Sequence, residues 1–223
     1  MDSIFRGSLN TAHGRALAWL DSLLVDHAVL RLAWTNFSPV IAGRLYRCNH
    51  PTPGRLAALT RRYGLKTLVN LRGAGGGGSD ALSREMAARL GLDFIDAPLK
   101  SRGAPPRARL LHLVEIFLRM REPALIHCKS GADRAGLAAA IFLLMNGVPV
   151  AQARRQLALR FGHLTRSDAG VLTAFLLAYA REAEGRKPFL DWLRDDYDPA
   201  TLDREFRAGT LSRWLNNRLL ARE

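Results

Sequence analysis

Cysteine and lysine are both scarce in this 223-residue chain, which has two Cys and four Lys. Two thiols cannot staple a small secreted scaffold, so the composition excludes a disulfide framework and points to a reducing, cytoplasmic setting. Long apolar runs are also missing. The longest, Ala135 to Val150, is interrupted by Asn146, Gly147 and Pro149 and is too broken for a membrane span. The opening Met1-Asp2-Ser3-Ile4-Phe5-Arg6 lacks the basic-then-apolar order of a signal peptide. Acidic residues are outnumbered by basic ones, 20 to 33, and 29 of those cations are Arg. The net charge of +13 favours anionic partners, such as a phosphorylated protein, a small-molecule phosphate or a lipid phosphate met by peripheral membrane contact. The basic residues are spread out with no interleaved aromatics, which argues against a specific nucleic-acid module. His112 and His163 show no metal-ligand spacing, and no metal or other cofactor is expected.

A hydrophobic content of 48% is enough for one good core. From about Ala42 strand-like and helix-like segments alternate. Gly43 to Arg47 reads as a first strand. Thr52-Pro53 opens a helix that stops at Gly64, and Thr67 to Leu71 reads as a second strand. Ser79 is placed as the cap of a helix ending at Gly91, and Leu92 to Ile95 as a third strand. Pro105-Pro106 opens a helix to about Arg121, and Ala124 to His127 forms a fourth strand. Helical patterns follow over Ala135 to Val150, Ala151 to Arg160 and Ser167 to Ala183. Such alternation predicts an α/β fold, with a mainly parallel sheet of four to five strands flanked by helices. The expected organisation is a helical extension over 1–40, a catalytic domain over 41–185 and a packed extension over 186–223 carrying Phe189, Trp192, Tyr197, Phe206 and Trp214. Within the first extension Leu17, Leu20, Leu24, Leu30 and Trp34 form something like a helical stripe. It reads as packing against the domain more readily than as an interfacial membrane helix. The run Gly75 to Gly78 lacks the Lys-Ser/Thr of a nucleotide loop and reads as a flexible surface loop.

The stretch from Ala124 to Gly136 is the most informative. An apolar strand ends at His127-Cys128, a short loop through Lys129, Ser130, Gly131, Ala132 and Asp133 follows, and Arg134 opens a long apolar helix. Sheets of this kind bind ligands beyond the carboxyl ends of their strands, where Cys128 falls. Loop amides and a helix N-terminus together favour an anion, and such surroundings favour the thiolate form of a cysteine. Arg134 adds a planar fork of donors for two phosphate oxygens.

His-Cys, five residues, then Arg resembles the cysteine-based protein tyrosine and dual-specificity phosphatase superfamily. The string Val69-Asn70-Leu71-Arg72 is similar to a bacterial and fungal branch of its dual-specificity group. The resemblance implies that Cys128 attacks phosphorus to form a cysteinyl-phosphate that water then hydrolyses. It implies that Lys129 to Arg134 bind phosphate and that His127 holds the loop. Arg72, at the end of the second strand, either faces the site rim or pairs with a local carboxylate. Lys129 with Lys100 and Arg102 suits a highly anionic head group, while phosphotyrosine is the other substrate class.

The general acid is the open point. Many members of the resembled family place an Asp on a loop after the third strand, yet Leu99 to Pro106 holds no carboxylate. Asp133, just before the Arg as in the myotubularin lipid phosphatases, and Asp96, 32 residues before Cys128, are the candidates. Asp133 is preferred, and its bland reading is an ion pair with Lys100, Arg102 or Arg72. Ala135 stands where the family usually has a hydroxyl after the Arg, which predicts a slow second step unless Ser130 compensates. Cys48 either traps an oxidised Cys128 or is an inert buried thiol. The expected function is a metal-independent phosphomonoesterase. A phosphate-binding pseudophosphatase is the alternative, with rhodanese-type sulfur transfer behind it.

Overall fold

The structure is a computed structural model that describes residues 3–5 and 7–208, with the side chains of 30–32 outside that description. Met1, Asp2, Arg6, Trp214 and the Leu30 side chain from the readings above therefore lie outside the described residues.

Five strands form one sheet in the order β1-β2-β5-β3-β4. These are β1 (Ser38–Ile41), β2 (Leu45–Cys48), β3 (Thr67–Asn70), β4 (Asp93–Asp96) and β5 (Ala124–His127). All neighbours are parallel except the β1–β2 hairpin, so the sheet is mainly parallel with one antiparallel edge. The sequence pattern gives no sign of β1. Gly43 sits at φ +77 in the turn that joins β1 to β2, and the strand proper starts at Leu45. Central β2, β3 and β5 are buried along their whole length, as expected for parallel strands covered on both faces.

Strand alternation assigns the two layers. Leu45, Val69 and Ile126 join one large cluster with α5 (Arg107–Arg119), α6 (Asp133–Met145), α8 (Gly170–Glu182) and α9 (Phe189–Asp195). Tyr46, Cys48, Leu68 and Leu125 face the other way, under α3 (Pro53–Tyr63) and α4 (Gly78–Arg89). α3 starts as read, with Thr52 accepting from the Arg55 N–H, and ends at left-handed Gly64. α6 is buried nearly all round, from Ala135 to Leu144, which explains its unbroken apolar sequence. Phe189, Trp192 and Tyr197 of the carboxyl-terminal part pack into the large cluster around Phe175.

Three local expectations are corrected. Ser79 does not cap α4. The helix begins at Gly78, and its first amide donates to the Asp21 carboxylate at 2.6 Å, a cap supplied from 57 residues upstream. The glycine run is accordingly not just a flexible surface loop. A Cβ on Gly78 would lie 2.2 Å from the Ala18 carbonyl oxygen, so the helix start and α1 (Ala12–Leu20) touch backbone to backbone. The segment after α6 does not form one helix from Ala151 to Arg160. It breaks into α7 (Val150–Ala153) and two 3₁₀ turns, Arg154–Gln156 and Leu159–Phe161. A Cβ on Gly136 would lie 2.7 Å from the Gln156 carbonyl, so the chain is held hard against α6 there.

The leucine stripe also reads differently in three dimensions. α1 passes into a π-helical turn, Asp21–Val25, before left-handed His27 and α2 (Ala28–Ala33). Ala18, Asp21, Ser22 and Asp26 face the domain, while Leu20, Leu24 and Trp34 stay exposed. Among the described residues no helix is long and apolar enough to cross a membrane.

Candidate active site

β5 delivers Cys128 to the carboxyl end of the sheet, where it is 1% exposed. The loop then reverses over Gly131, and α6 starts at Asp133 with its amino end toward the sulfur. The Gly131 N–H donates to Cys128 Sγ at 3.2 Å. Gly131 adopts φ +76, and a Cβ there would fall 2.7 Å from Asn49 N and 2.8 Å from the Cys48 carbonyl carbon. Only glycine satisfies both constraints.

Beneath the loop lies Arg47, which is 0% exposed. It sits on the α6 side of β2 by strand alternation. One Nη donates to the Gly131 and Ala132 carbonyls, and the other to the Gln156 carbonyl and side chain at 2.6 and 2.8 Å. Its guanidinium stacks on Phe161 at 4.0 Å. Burial pushes Arg47 down to about 10, opposed mainly by attraction to Cys128, so it remains a cation at neutral pH. Arg47 thereby fixes the two peptide units that carry the Ala132 and Asp133 amides, while the Gly131 N–H facing the sulfur belongs to the unit whose Ser130 carbonyl is held by Asn36. Sequence reasoning missed this residue. The available signal was a charge inside the apolar strand Leu45-Tyr46-Arg47-Cys48, bounded by residues that must be buried.

The other loop positions divide clearly. Arg134, half-buried near the start of α6, has no carboxylate partner among the described residues. Ser130 is exposed, and its hydroxyl accepts from the Ala132 N–H at 3.3 Å, while the Asn36 side chain holds its carbonyl at 2.9 Å. Ala135 is fully buried in the large cluster. His127 is buried edge-on against His50, with ring centroids 4.6 Å apart. His50 Nδ1 faces the Arg72 guanidinium at 2.9 Å. Arg can only donate, so the His50 proton sits on Nε2, facing the Ser79 carbonyl at 3.2 Å.

Arg72 pairs with a carboxylate the sequence did not suggest. Asp26, reaching in from the amino-terminal extension, takes it bidentately at 2.7 and 2.8 Å and also lies 3.4 Å from Lys129. Lys100 and Arg102 are exposed on the loop after β4. That loop is held from the carboxyl-terminal side. The Asp203 carboxylate accepts from the Ala104 N–H at 2.7 Å, the Tyr197 hydroxyl donates to the Pro105 carbonyl at 2.8 Å, and Arg107 donates to the Tyr197 carbonyl.

The two carboxylate candidates have different surroundings. Asp96 is bound by the Arg84 guanidinium at 2.6 Å and the Asn70 amide at 2.9 Å, and it lies two strands from β5, roughly 10 Å at ordinary strand spacing. Asp133 is one position before Arg134 and pairs with none of Lys100, Arg102 or Arg72. Its partner is His163, Nδ1 to Oδ1 2.7 Å. The two thiols belong to clusters on opposite faces of the sheet, and burial pushes the Cys48 thiol up, which disfavours its thiolate at neutral pH.

A buried cysteine that accepts the N–H of a loop glycine, followed at a helix start by an arginine without a carboxylate partner among the described residues, has the donors to hold an oxyanion against a thiol. The model of the tyrosine phosphatase family matches residues 33–159, more than half of the chain. The chain belongs to the tyrosine phosphatase family. It is thus an enzyme of the cysteine-dependent phosphatase type. The matched span contains Arg47, Cys128 and Arg134, whereas His163 lies beyond it. Among solved structures, this tyrosine phosphatase is similar to a mutant form of Tk-PTP, at 22% identity over 66% of this chain and 97% of that one, with a TM-score of 0.51. It is also similar to TpbA of P. aeruginosa, at 24% identity over 66% of this chain and 91% of that one, with a TM-score of 0.50. These likenesses concern the fold. A search of curated protein sequences finds no match.

Proposed function

We propose that this phosphatase hydrolyses phosphomonoesters through a cysteinyl-phosphate on Cys128, acting on phosphotyrosine in proteins. The observation that carries the reading is the Gly131 N–H aimed at Cys128 Sγ within a loop whose carbonyls Arg47 holds away from the site. The thiolate attacks phosphorus, while loop amides and the Arg134 fork take up the charge on the three equatorial oxygens. Asp133, beside Arg134, protonates the departing oxygen. Asp96 has the weaker claim, because both its oxygens are committed to Arg84 and Asn70. Water then cleaves the S–P bond and returns the thiolate. The charge neutralisation comes from protein donors, so the scheme needs no metal.

Asp26 lowers the positive charge of the mouth without cancelling it. It is shared between Arg72 and Lys129 and so offsets one of their two charges, with Lys100 and Arg102 exposed on the neighbouring loop. Buried Ala135 offers no hydroxyl to the leaving thiolate, which supports a slow second step. The test is a panel of phosphotyrosine peptides, phosphoserine peptides, inositol polyphosphates and lipid phosphates, with Cys128→Ser as control. The reading expects phosphotyrosine hydrolysis, abolished by Cys128→Ser, and a burst of phenol from aryl phosphates. Activity surviving in Cys128→Ser refutes the nucleophile, and no burst with no turnover marks a binding protein.

A further inference from the structure

We infer that His163 is a positioning and proton-exchange partner of Asp133, and that Asp133, His163 and Thr173 act as one unit in the protonation of the leaving group. The inference deepens the proposed cysteinyl-phosphate reading and rests on it.

His163 is fully buried, and a buried imidazole is costly unless both ring nitrogens have partners. Here both do. Nδ1 lies 2.7 Å from Asp133 Oδ1, and Nε2 lies 3.0 Å from Thr173 Oγ1 on α8. The chain makes a special effort to bring this ring in. The helical pattern after α7 is abandoned for 3₁₀ turns, Gly162 takes a left-handed φ of +81, and the His163 N–H returns to the Ala158 carbonyl. The ring therefore reaches the first residue of α6 from a separate segment, immediately beside the phosphate-binding loop.

The identity of the third partner matters. A threonine hydroxyl can donate to a bare Nε2 or accept from Nε2–H, so it accommodates either tautomer without moving. With Nε2–H donating to Thr173, the Nδ1 lone pair faces Asp133, and one exchangeable proton occupies the 2.7 Å contact. That proton is the one the leaving group needs. As Cys128 Sγ bonds to phosphorus and the P–O ester bond breaks, the departing oxygen takes a proton from the Asp133 carboxyl, and the unit is left one proton short. His163 keeps its proton on Nε2, donated to Thr173 Oγ1, and the Asp133 carboxylate is the group left to be reprotonated. In the second step water attacks phosphorus, its proton goes to the Asp133 carboxylate, and the S–P bond breaks to release the thiolate. The unit returns to its starting protonation.

A purely structural role, clamping α6 to α8, would slow every substrate alike. A role in proton donation shows in the dependence on leaving group, because good leaving groups need no proton. The experiment compares kcat/KM for nitrophenyl, phenyl and alkyl monoesters in the wild-type chain, His163→Asn, Thr173→Val, Asp133→Asn and the Asp133→Asn/His163→Asn double variant. His163→Asn keeps a donor near the Nδ1 position but cannot exchange a proton. It is expected to lose about 10- to 100-fold on phenyl and alkyl esters and about threefold or less on the nitrophenyl ester. Thr173→Val is expected to shift the same way by a smaller factor. The double variant is expected to match Asp133→Asn alone, since groups acting as a unit are not additive. Equal losses on all esters, or no loss on any, overturn the inference. Should His163→Asn fail to fold by thermal melting, Thr173→Val decides: no change in its leaving-group dependence overturns it. Cys128→Ser separates the two levels. If that variant is dead but the leaving-group dependences are parallel, only the present inference falls, whereas an active Cys128→Ser removes the reading beneath it.

Discussion

Arg47 donates to the Gly131 carbonyl from directly beneath the loop whose Gly131 amide faces the Cys128 sulfur. The two faces of one glycine are thus used for opposite purposes. The buried cation fixes the peptide unit after the glycine, and Asn36, through the Ser130 carbonyl, fixes the unit before it, whose N–H meets the sulfur.

Replacing Arg47 by Met should therefore harm both stability and chemistry. The carbonyls of Gly131, Ala132 and Gln156 lose their donors in a dry site, a cost of about 2–4 kcal/mol. Phosphate binding should weaken as the loop relaxes. Urea unfolding and the amplitude of the phenol burst measure the two effects. Arg47→Lys should recover charge without the fork and remain impaired.

Gly131→Ala meets a positive φ and a backbone wall at 2.7–2.9 Å formed by Asn49 and Cys48. The strain alone is worth about 1–3 kcal/mol, and the wall adds to it. The expected phenotype is a lower melting temperature with kcat/KM reduced on every ester, independent of leaving group.

Asp26→Asn should release Arg72 and Lys129 from their shared carboxylate. The loss of charge-assisted bonds costs about 1–3 kcal/mol of stability. In exchange the mouth gains positive charge. The KM for inositol polyphosphates should fall severalfold, with a steeper dependence on salt, while nitrophenyl phosphate changes little. An unchanged KM for the polyanions counts against Asp26 as the residue that limits the charge of the mouth.

The Arg15–Glu85 pair, at 2.6 and 3.0 Å, ties α1 to α4. The hydrogen bond from Arg15 holds the Glu85 carboxyl below its usual value. A lowered folded value means that this tie is complete above the ordinary carboxylate range and fades as pH falls through the lowered one. Trp19, exposed and four residues after Arg15 on α1, lies on the same helix face and is the natural probe of that tie. Its fluorescence should change on acidification below about pH 4.5, and Glu85→Gln should remove the transition.

The strands and the loop were legible because their determinants are local. Ala124 to His127 is an unbroken apolar run ending at the His-Cys pair, and it is β5 to the residue. The pairing of Arg72 with Asp26 and of Asp133 with His163 was not legible, because partners 46 and 30 residues apart leave no spacing pattern. The same reason hid the Asp21 cap on α4, where the nearby Ser79 gave a plausible but wrong local solution. Arg47 was missed for a different cause. An arginine in a strand reads as solvent-facing, and only the tertiary stacking of the loop and the Gln156 segment over β2 supplies its acceptors.

The loop after β4 is fastened from behind by Asp203, Tyr197 and Arg107. The anchoring falls at Ala104 and Pro105, so the segment that carries Lys100 and Arg102 is tied down at its far end by residues 99 and 92 positions later in the chain. The placement of those two cations beside the cradle is thus written into the carboxyl-terminal part of the chain as much as into the loop itself.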